Sequence, residues 1–570
     1  MIPHSDLSRR SALAWLAAII ALGAAFRFYN LGWGAPYYHF HIDEHFVFNG
    51  AYLLGRDAGA AANSAKFFMY PPLPMYVLNL VVDLYEAVAH PLLLNVPRDE
   101  VTFMVLGRAT SAAFGTATIP LVYLIASRVA GRRAGVLAAL LLACSVLHLR
   151  DSHFFTTDSS LVFFSTLTWV YLIRTVQHGD AKADAGSAVS FGLAALSKYT
   201  AVFLAPLIGL AHLLSSRRPA SLRPLGPWLP FLLRAALPLA GGLVVFLILD
   251  PLVLIYYDKF RMDFRDQITT PLLGGSQPQF FSQFADVQPH LYWFTNLLWY
   301  GIGPAFEIWG LIGVVWLFVR RDRVALMAAA FPVVFWLFAG RSVAPFPRYA
   351  LPLMPALAVA AAALSADLLR RPRWRPLALP ATAVVVVTTM VWALAYMNVF
   401  RQPDSRLVAS EWIRKNIPPE SKILIEPSHN IPPMGSYLTA TDFHTNYVLF
   451  YPQTEKHDYY RQYAFDTYRS LYNRGVDDNY RRDYITSRLA LADWIVMDDS
   501  YVQQYSHLPD TEHGVVKQHY RDLFAGRLGF ELVQTFKVYP SLFGWTINDD
   551  GAEMTFRSFD HPRVFIFKRK

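Results

Sequence analysis

Apolar runs of membrane-crossing length recur along the first 400 residues of this chain, and short basic clusters separate them. The first run, ALAWLAAIIALGAAFRFY at residues 12–29, has about the length that crosses a hydrocarbon core of roughly 30 Å, provided that Arg27 reaches the interface. Lipid satisfies no backbone N–H or C=O group, so such runs must be helical. With 54% hydrophobic and only 16% charged residues, the composition argues against an ordinary soluble domain. The expectation is a polytopic α-helical membrane protein.

Charge supports this and supplies a direction. The formal net charge is +9, but the basic residues sit between apolar runs: Arg9-Arg10, Arg132-Arg133, Arg217-Arg218, Arg320-Arg321 with Arg323, and Arg370-Arg371 with Arg373 and Arg375. That is the positive-inside pattern, and it accounts for the positive charge without a nucleic-acid partner. Aromatic residues, 15% of the chain, gather at the ends of the runs as in interfacial belts. The single cysteine, Cys144, excludes an intramolecular disulfide and a cysteine metal site. The first run is expected to be a retained anchor with a cytoplasmic N-terminus.

Alternating sidedness follows from these clusters. The segment 75–94 carries Asp83, Glu86 and His90 on one helical face, which suits an interfacial helix. Spans are then expected at 104–127, 134–149 and 159–176. The runs 187–197 and 201–214 are expected to turn at Lys198, since an unbroken helix would bury that lysine in mid-membrane. Further spans follow at 229–249, 293–319, 324–340, 350–369 and 377–397, with a long segment at 250–291 containing Leu273-Gly-Gly-Ser-Gln-Pro278 that suits a lid. The total is about eleven crossings, N-terminus in and C-terminus out.

Residues 401–570 differ in composition. They are rich in Asp, Arg, Tyr and His, with an amphipathic helix near 404–416 and strand-like runs at 422–426, 493–498, 530–538 and 563–568. A soluble extracytoplasmic α/β domain is expected there, after a membrane domain at residues 1–400.

This topology places several ionisable groups on one side of the membrane. His39-Phe40-His41-Ile42-Asp43-Glu44-His45 follows the first span, Asp151, His153 and Asp158 follow the third, and Lys198 and Arg348 join them. Carboxylates supply a general base and candidate divalent-cation ligands, while Lys and Arg supply the charge that a phosphate needs. Together they suit an activated nucleophile and a phosphate leaving group. As outer-face cations, Lys198 and Arg348 are expected to be solvated.

The order of motifs resembles the GT-C glycosyltransferases that use polyprenyl-phosphate sugars, near the protein O-mannosyltransferases and the lipid A aminoarabinose transferases. The matching features are Asp43-Glu44 after the first span, Tyr70-Pro71-Pro72-Leu73, Arg108, Asp158, Gly192-Leu-Ala-Ala-Leu-Ser-Lys198, and Pro347-Arg348-Tyr349 with Pro352 and Pro355. They cover roughly residues 10–400. The aminoarabinose branch has a lysine before the paired prolines, where this chain has Tyr70.

The resemblance implies an inverting transfer from a polyprenyl-phosphate donor to a hydroxyl of a glycan, lipid or protein acceptor, in a bacterial inner membrane. Asp43 is then the base, with Glu44 beside it as a second catalytic candidate, and Lys198 and Arg348 hold the donor phosphate. Asp158, Asp151, His41 and Tyr70 are left for substrate or metal. No cofactor is required by this reading, and a divalent cation held by the carboxylates and histidines stays open. So do a polysaccharide polymerase or ligase and a non-enzymatic flippase of lipid-linked sugars.

Overall fold

Helices dominate the chain up to Arg401, and a mixed sheet follows it. The computed structural model describes every residue except 1–5, 36–40, 65, 93–99, 216–227, 267–282, 285–286, 419–420, 427–429, 431, 434–460, 465–476, 507 and 509. Two compact units emerge, one within residues 1–394 and the other built on residues 395–570; Trp33 and His41 belong to the second.

Five helices of the described chain are long and apolar enough to cross a membrane: Arg9–Phe28, Val101–Ala130, Asp158–Gln177, Trp228–Leu249 and the helix that starts at Arg375. Shorter apolar helices accompany them, among them Arg323–Ala339 and Leu353–Leu369. Leu73–Leu92 is not one of the five, and Asp83 on it is exposed.

Two expected spans are broken. In place of one helix over 134–149, Arg132–Ala143 stops at Cys144 and a short helix, Val146–Asp151, restarts after Ser145. A helix end leaves carbonyls unpaired, and Arg27 supplies the donors: its guanidinium bonds the oxygens of Ala143 at 3.0 Å and Leu142 at 3.1 Å, and His148 Nδ1 at 2.8 Å. Arg27 is therefore fully buried rather than interfacial. The second break falls at Gly303, whose φ of +82° suits a residue without a Cβ. The helix Pro304–Arg320 starts there, preceded by a π-helical turn at Trp293–Leu297. A third interruption, at Lys198, matches the expected turn: Ala181–Ser197 ends there and a 3₁₀ turn, Tyr199–Leu204, follows. The segment Leu273–Pro278 lies outside the described residues.

In the second unit, strands β1 (Lys422–Ile425), β2 (Arg461–Ala464), β3 (Trp494–Asp498), β4 (Phe530–Phe536) and β7 (Val564–Arg569) form one sheet in the order β2-β1-β3-β7-β4. β1 runs parallel to β2 and β3, whereas β7 is antiparallel to β3 and β4. Side chains alternate across the strands. Ile423, Ile425, Val496, Val564 and Ile566 pack under Ala409 and Ile413 of the helix Ser405–Asn416. Leu424, Ile495, Met497, Phe565 and Phe567 face Ile485 and Leu489 of Asp478–Leu491 and Val516 of Asp510–Phe524. Helices on both faces make this an α/β layer. A separate two-stranded hairpin, β5 (Ser541–Leu542) and β6 (Trp545–Thr546), precedes β7.

Candidate active site

Asp43 stands in the first turn of the helix Ile42–Leu54, where the helix dipole favours a carboxylate. Two partners reach it from distant parts of the chain. Tyr70, just past the 3₁₀ turn Phe67–Met69, donates its hydroxyl to Asp43 Oδ1 at 2.9 Å. Arg348, in the 3₁₀ turn Pro347–Ala350, brings Nη1 to 2.6 Å from Oδ2. The Tyr70 ring stacks on Phe46 with centroids 5.5 Å apart, which sets the direction of its hydroxyl.

Lys198 stands at its helix break, and its Nζ donates to Asp158 Oδ1 at 2.7 Å. Asp158 opens the helix Asp158–Gln177. The two ion pairs meet at Tyr349: the Lys198 ammonium lies 5.3 Å and the Arg348 guanidinium 5.7 Å from the centroid of that ring. Desolvation pulls the Arg348 pKa down, but Asp43, Tyr349 and Asp158 outweigh it and raise it above its ordinary value. Desolvation and the Asp43 charge likewise push the Tyr70 phenol well above its usual range, so it remains a donor. Asp43, Arg348, Asp158 and Lys198 thus form one alternating cluster of acids and cations around Tyr349. Lys198 is buried within it, not solvated.

Glu44, the next residue along, has a different environment. Arg108 grips it with Nε to Oε1 at 2.9 Å and Nη2 to Oε2 at 3.0 Å, and the Phe155 amide donates to Oε1 at 2.8 Å. Neither side chain sees solvent to any useful extent. Adjacent helical residues diverge by about 100° in direction, so the Asp-Glu pair does not act as a dyad.

The remaining candidates separate. Asp151 is buried beside Arg150, with Nη1 at 3.4 Å from Oδ2. His41 belongs to the second unit, where its ring packs on Phe559 with centroids 4.1 Å apart. Burial drives the His45 pKa down to about 4, which leaves it neutral. The His153 ring bonds the Leu149 carbonyl at 2.9 Å. His39 lies outside the described residues. Among the described residues no group of three or more His, Cys, Asp or Glu side chains is placed to hold a metal ion.

One cation escaped the sequence reading. Lys66, in the left-handed region at φ 60°, places Nζ 4.7 Å from the centroid of the Phe46 ring, and its charge is felt by Asp43 and Asp263. It stands four residues before Tyr70, where the departure from the aminoarabinose pattern was noted. Its only signal in the sequence is that proximity, since the turn between them is not legible as a motif.

Comparison with known proteins agrees with this architecture. Residues 104–244 match the family described as dolichyl-phosphate-mannose-protein mannosyltransferase, a stretch that holds Arg108, Asp151, Asp158 and Lys198. The crystal structure of the Archaeoglobus fulgidus oligosaccharyltransferase in the apo form is 12% identical and superposes with a TM-score of 0.52 over 96% of this chain and 75% of that one. The same enzyme in complex with Zn and sulfate gives 12%, 0.51, 95% and 74%. ArnT from Cupriavidus metallidurans, bound to undecaprenyl phosphate, is 15% identical with a TM-score of 0.49, covering 98% of each chain. No curated protein sequence matches the chain. The chain thus has the fold of the GT-C glycosyltransferases, and over residues 104–244 it resembles the dolichyl-phosphate-mannose-protein mannosyltransferases.

Proposed function

We propose that the chain is an integral-membrane glycosyltransferase that moves a sugar from a polyprenyl-phosphate donor to an acceptor hydroxyl on the outer face of a bacterial inner membrane. The observation that carries this reading is the alternating cluster itself: Asp43 touches Arg348, and Arg348 shares the Tyr349 ring with Lys198, which holds Asp158. A base lies beside the cations that a phosphate leaving group needs.

The charges suit such a donor. Arg348, Lys198 and Lys66 contribute three positive charges, and Asp43 and Asp158 two negative ones. The surplus of one positive charge complements the single negative charge of a sugar phosphodiester. On transfer the lipid phosphate becomes a monoester of nearly two negative charges, so the cations bind the departing group more strongly than the donor. Only such differential binding accelerates the chemical step. Each well-placed donor of this kind is worth about 3 to 4 kcal/mol in the transition state.

In the step, Asp43 accepts the proton of the acceptor hydroxyl, whose oxygen attacks the anomeric carbon. The bond from that carbon to the phosphate oxygen breaks, and its electron pair leaves with the lipid phosphate, inverting the configuration. Tyr70 and Arg348 hold the Asp43 carboxylate in place for that proton. Glu44 positions Asp43 by fixing the helix start and touches no reacting atom. No step is routed through a metal: the two site carboxylates already face Arg348 and Lys198, and a dication there would be repelled by both.

The test is turnover of a polyprenyl-phosphate sugar in detergent. Asp43→Asn keeps size and hydrogen-bonding shape but loses proton-accepting capacity, so transfer should fall by roughly 100-fold to 10,000-fold with donor binding retained. Near-normal transfer by a folded, donor-binding variant would refute the assignment.

A further inference from the structure

The hairpin β5–β6 presents two large aromatic side chains to solvent. Phe543 is 94% and Trp545 84% exposed, the highest values among the large apolar residues of the described chain. The turn joining Leu542 to Trp545 is the two-residue Phe543-Gly544, with φ of 51° and 85°. Positive φ at both central positions defines a type I′ turn, which favours Asn-Gly or Gly-Gly. A bulky aromatic residue at positive φ is an outlier. The fold therefore tolerates strain and exposed apolar area at one place, and neither contributes to packing within the unit.

The hairpin is fastened to the helix Arg375–Arg401. Asn398 Nδ2 donates to Ser541 Oγ at 2.7 Å, at the base of the hairpin. Along that helix Val384, Val387, Val391 and Leu394 are all exposed and lie on one face, as the spacing of three and four residues requires. Asn398 follows Leu394 by four residues and Val391 by seven, so it continues the same face. It lies about 6 Å beyond Leu394 along the axis. Arg401, exposed, ends the helix one turn further on. The helix is among those long and apolar enough to cross a membrane, and its exposed aliphatic stripe is the face that lipid would cover. Ser541 thus bonds the helix at Asn398, between the last exposed aliphatic residue in its sequence and the terminal arginine.

We propose that the Ser541–Thr546 hairpin is a membrane-interface anchor, with Phe543 and Trp545 inserted at the boundary between headgroups and acyl chains. Trp is enriched at that depth because its ring is apolar and its N–H stays wet. The anchor fixes the height of the sheet-bearing unit above the lipid surface. It is independent of the transfer chemistry.

The full chain, with Cys144→Ala and Phe543→Cys, is labelled with an environment-sensitive fluorophore and placed in nanodiscs of phosphatidylcholine and phosphatidylglycerol. Nitroxide lipids labelled at a shallow acyl carbon should quench position 543. Aqueous iodide should reach it several-fold less than the same label at the exposed Glu531→Cys. Trp545→Cys provides a second position should the first label disturb the turn, and is expected to behave in the same way. Iodide access equal to that at 531, with no nitroxide response at either hairpin position, would overturn the proposal. So would shielding of the label by a soluble oligosaccharide and not by the bilayer, which would reassign the aromatic pair to a dissolved ligand.

Discussion

Arg108 holds Glu44 by two parallel hydrogen bonds, at 2.9 Å and 3.0 Å, in a place where the two side chains are 2% and 0% exposed. Removing one partner of such a pair leaves an uncompensated buried charge, at a cost of roughly 3 to 5 kcal/mol. Glu44→Gln should therefore lower the yield and the thermal unfolding temperature while the folded fraction keeps most of its turnover. A loss of turnover equal to that of Asp43→Asn, with stability intact, would return Glu44 to the reacting atoms.

The cations at the site divide by burial. Lys198→Ala leaves Asp158 buried and unpaired, so both donor use and thermal stability should drop. Lys66 is exposed and has no ion pair within reach among the described residues. Lys66→Ala should cost under about 1 kcal/mol of stability and still raise the KM for the donor. An unchanged KM would take Lys66 out of the phosphate subsite.

The second unit has a built-in dependence on pH. The fully buried His561 ring lies 2.6 Å from Asp560 Oδ1 and 2.8 Å from Asp549 Oδ2, and Tyr396 donates to Asp560 Oδ2 at 2.7 Å. Burial alone would lower the His561 pKa, but the two aspartates raise it from 6.5 to about 9. The folded state therefore holds this proton more tightly than the unfolded chain. Its contribution is complete below about pH 6.5 and is lost as pH rises through about 9. Across that window stability should fall by at most about 1.4 kcal/mol per pH unit. Thermal unfolding of the solubilised chain from pH 6 to 10 measures the slope, and His561→Gln should flatten it.

Sidedness is open to labelling. With Cys144 replaced, cysteines introduced at Asp57 and at Ser506, both exposed, should react with an impermeant reagent from outside the cell. Reaction of either from the cytoplasm alone would place the two regions on different sides and end the outer-face reading.

The sequence alone was sufficient for the class of fold, the position of four strands and the helix Ser405–Asn416, because periodicity is local. The structure adds that Asp404 caps that helix through the Arg406 amide. The break at Lys198 was legible for a related reason: a charge in mid-membrane is costly enough to predict its avoidance. Tertiary structure decided the rest. Arg27 looked interfacial, yet the helix-end carbonyls of Ala143 and Leu142, more than a hundred residues away, draw it inside. Asp43 and Glu44 looked like one acidic pair, and only the folded chain shows Tyr70 and Arg348 taking the first while Arg108 takes the second. The strand β2 and the position of Lys66 were likewise hidden, since a short edge strand and a left-handed turn acquire meaning only from what they adjoin. Hydropathy is a property of each residue, but the charge that answers a given carboxylate is a property of the packing.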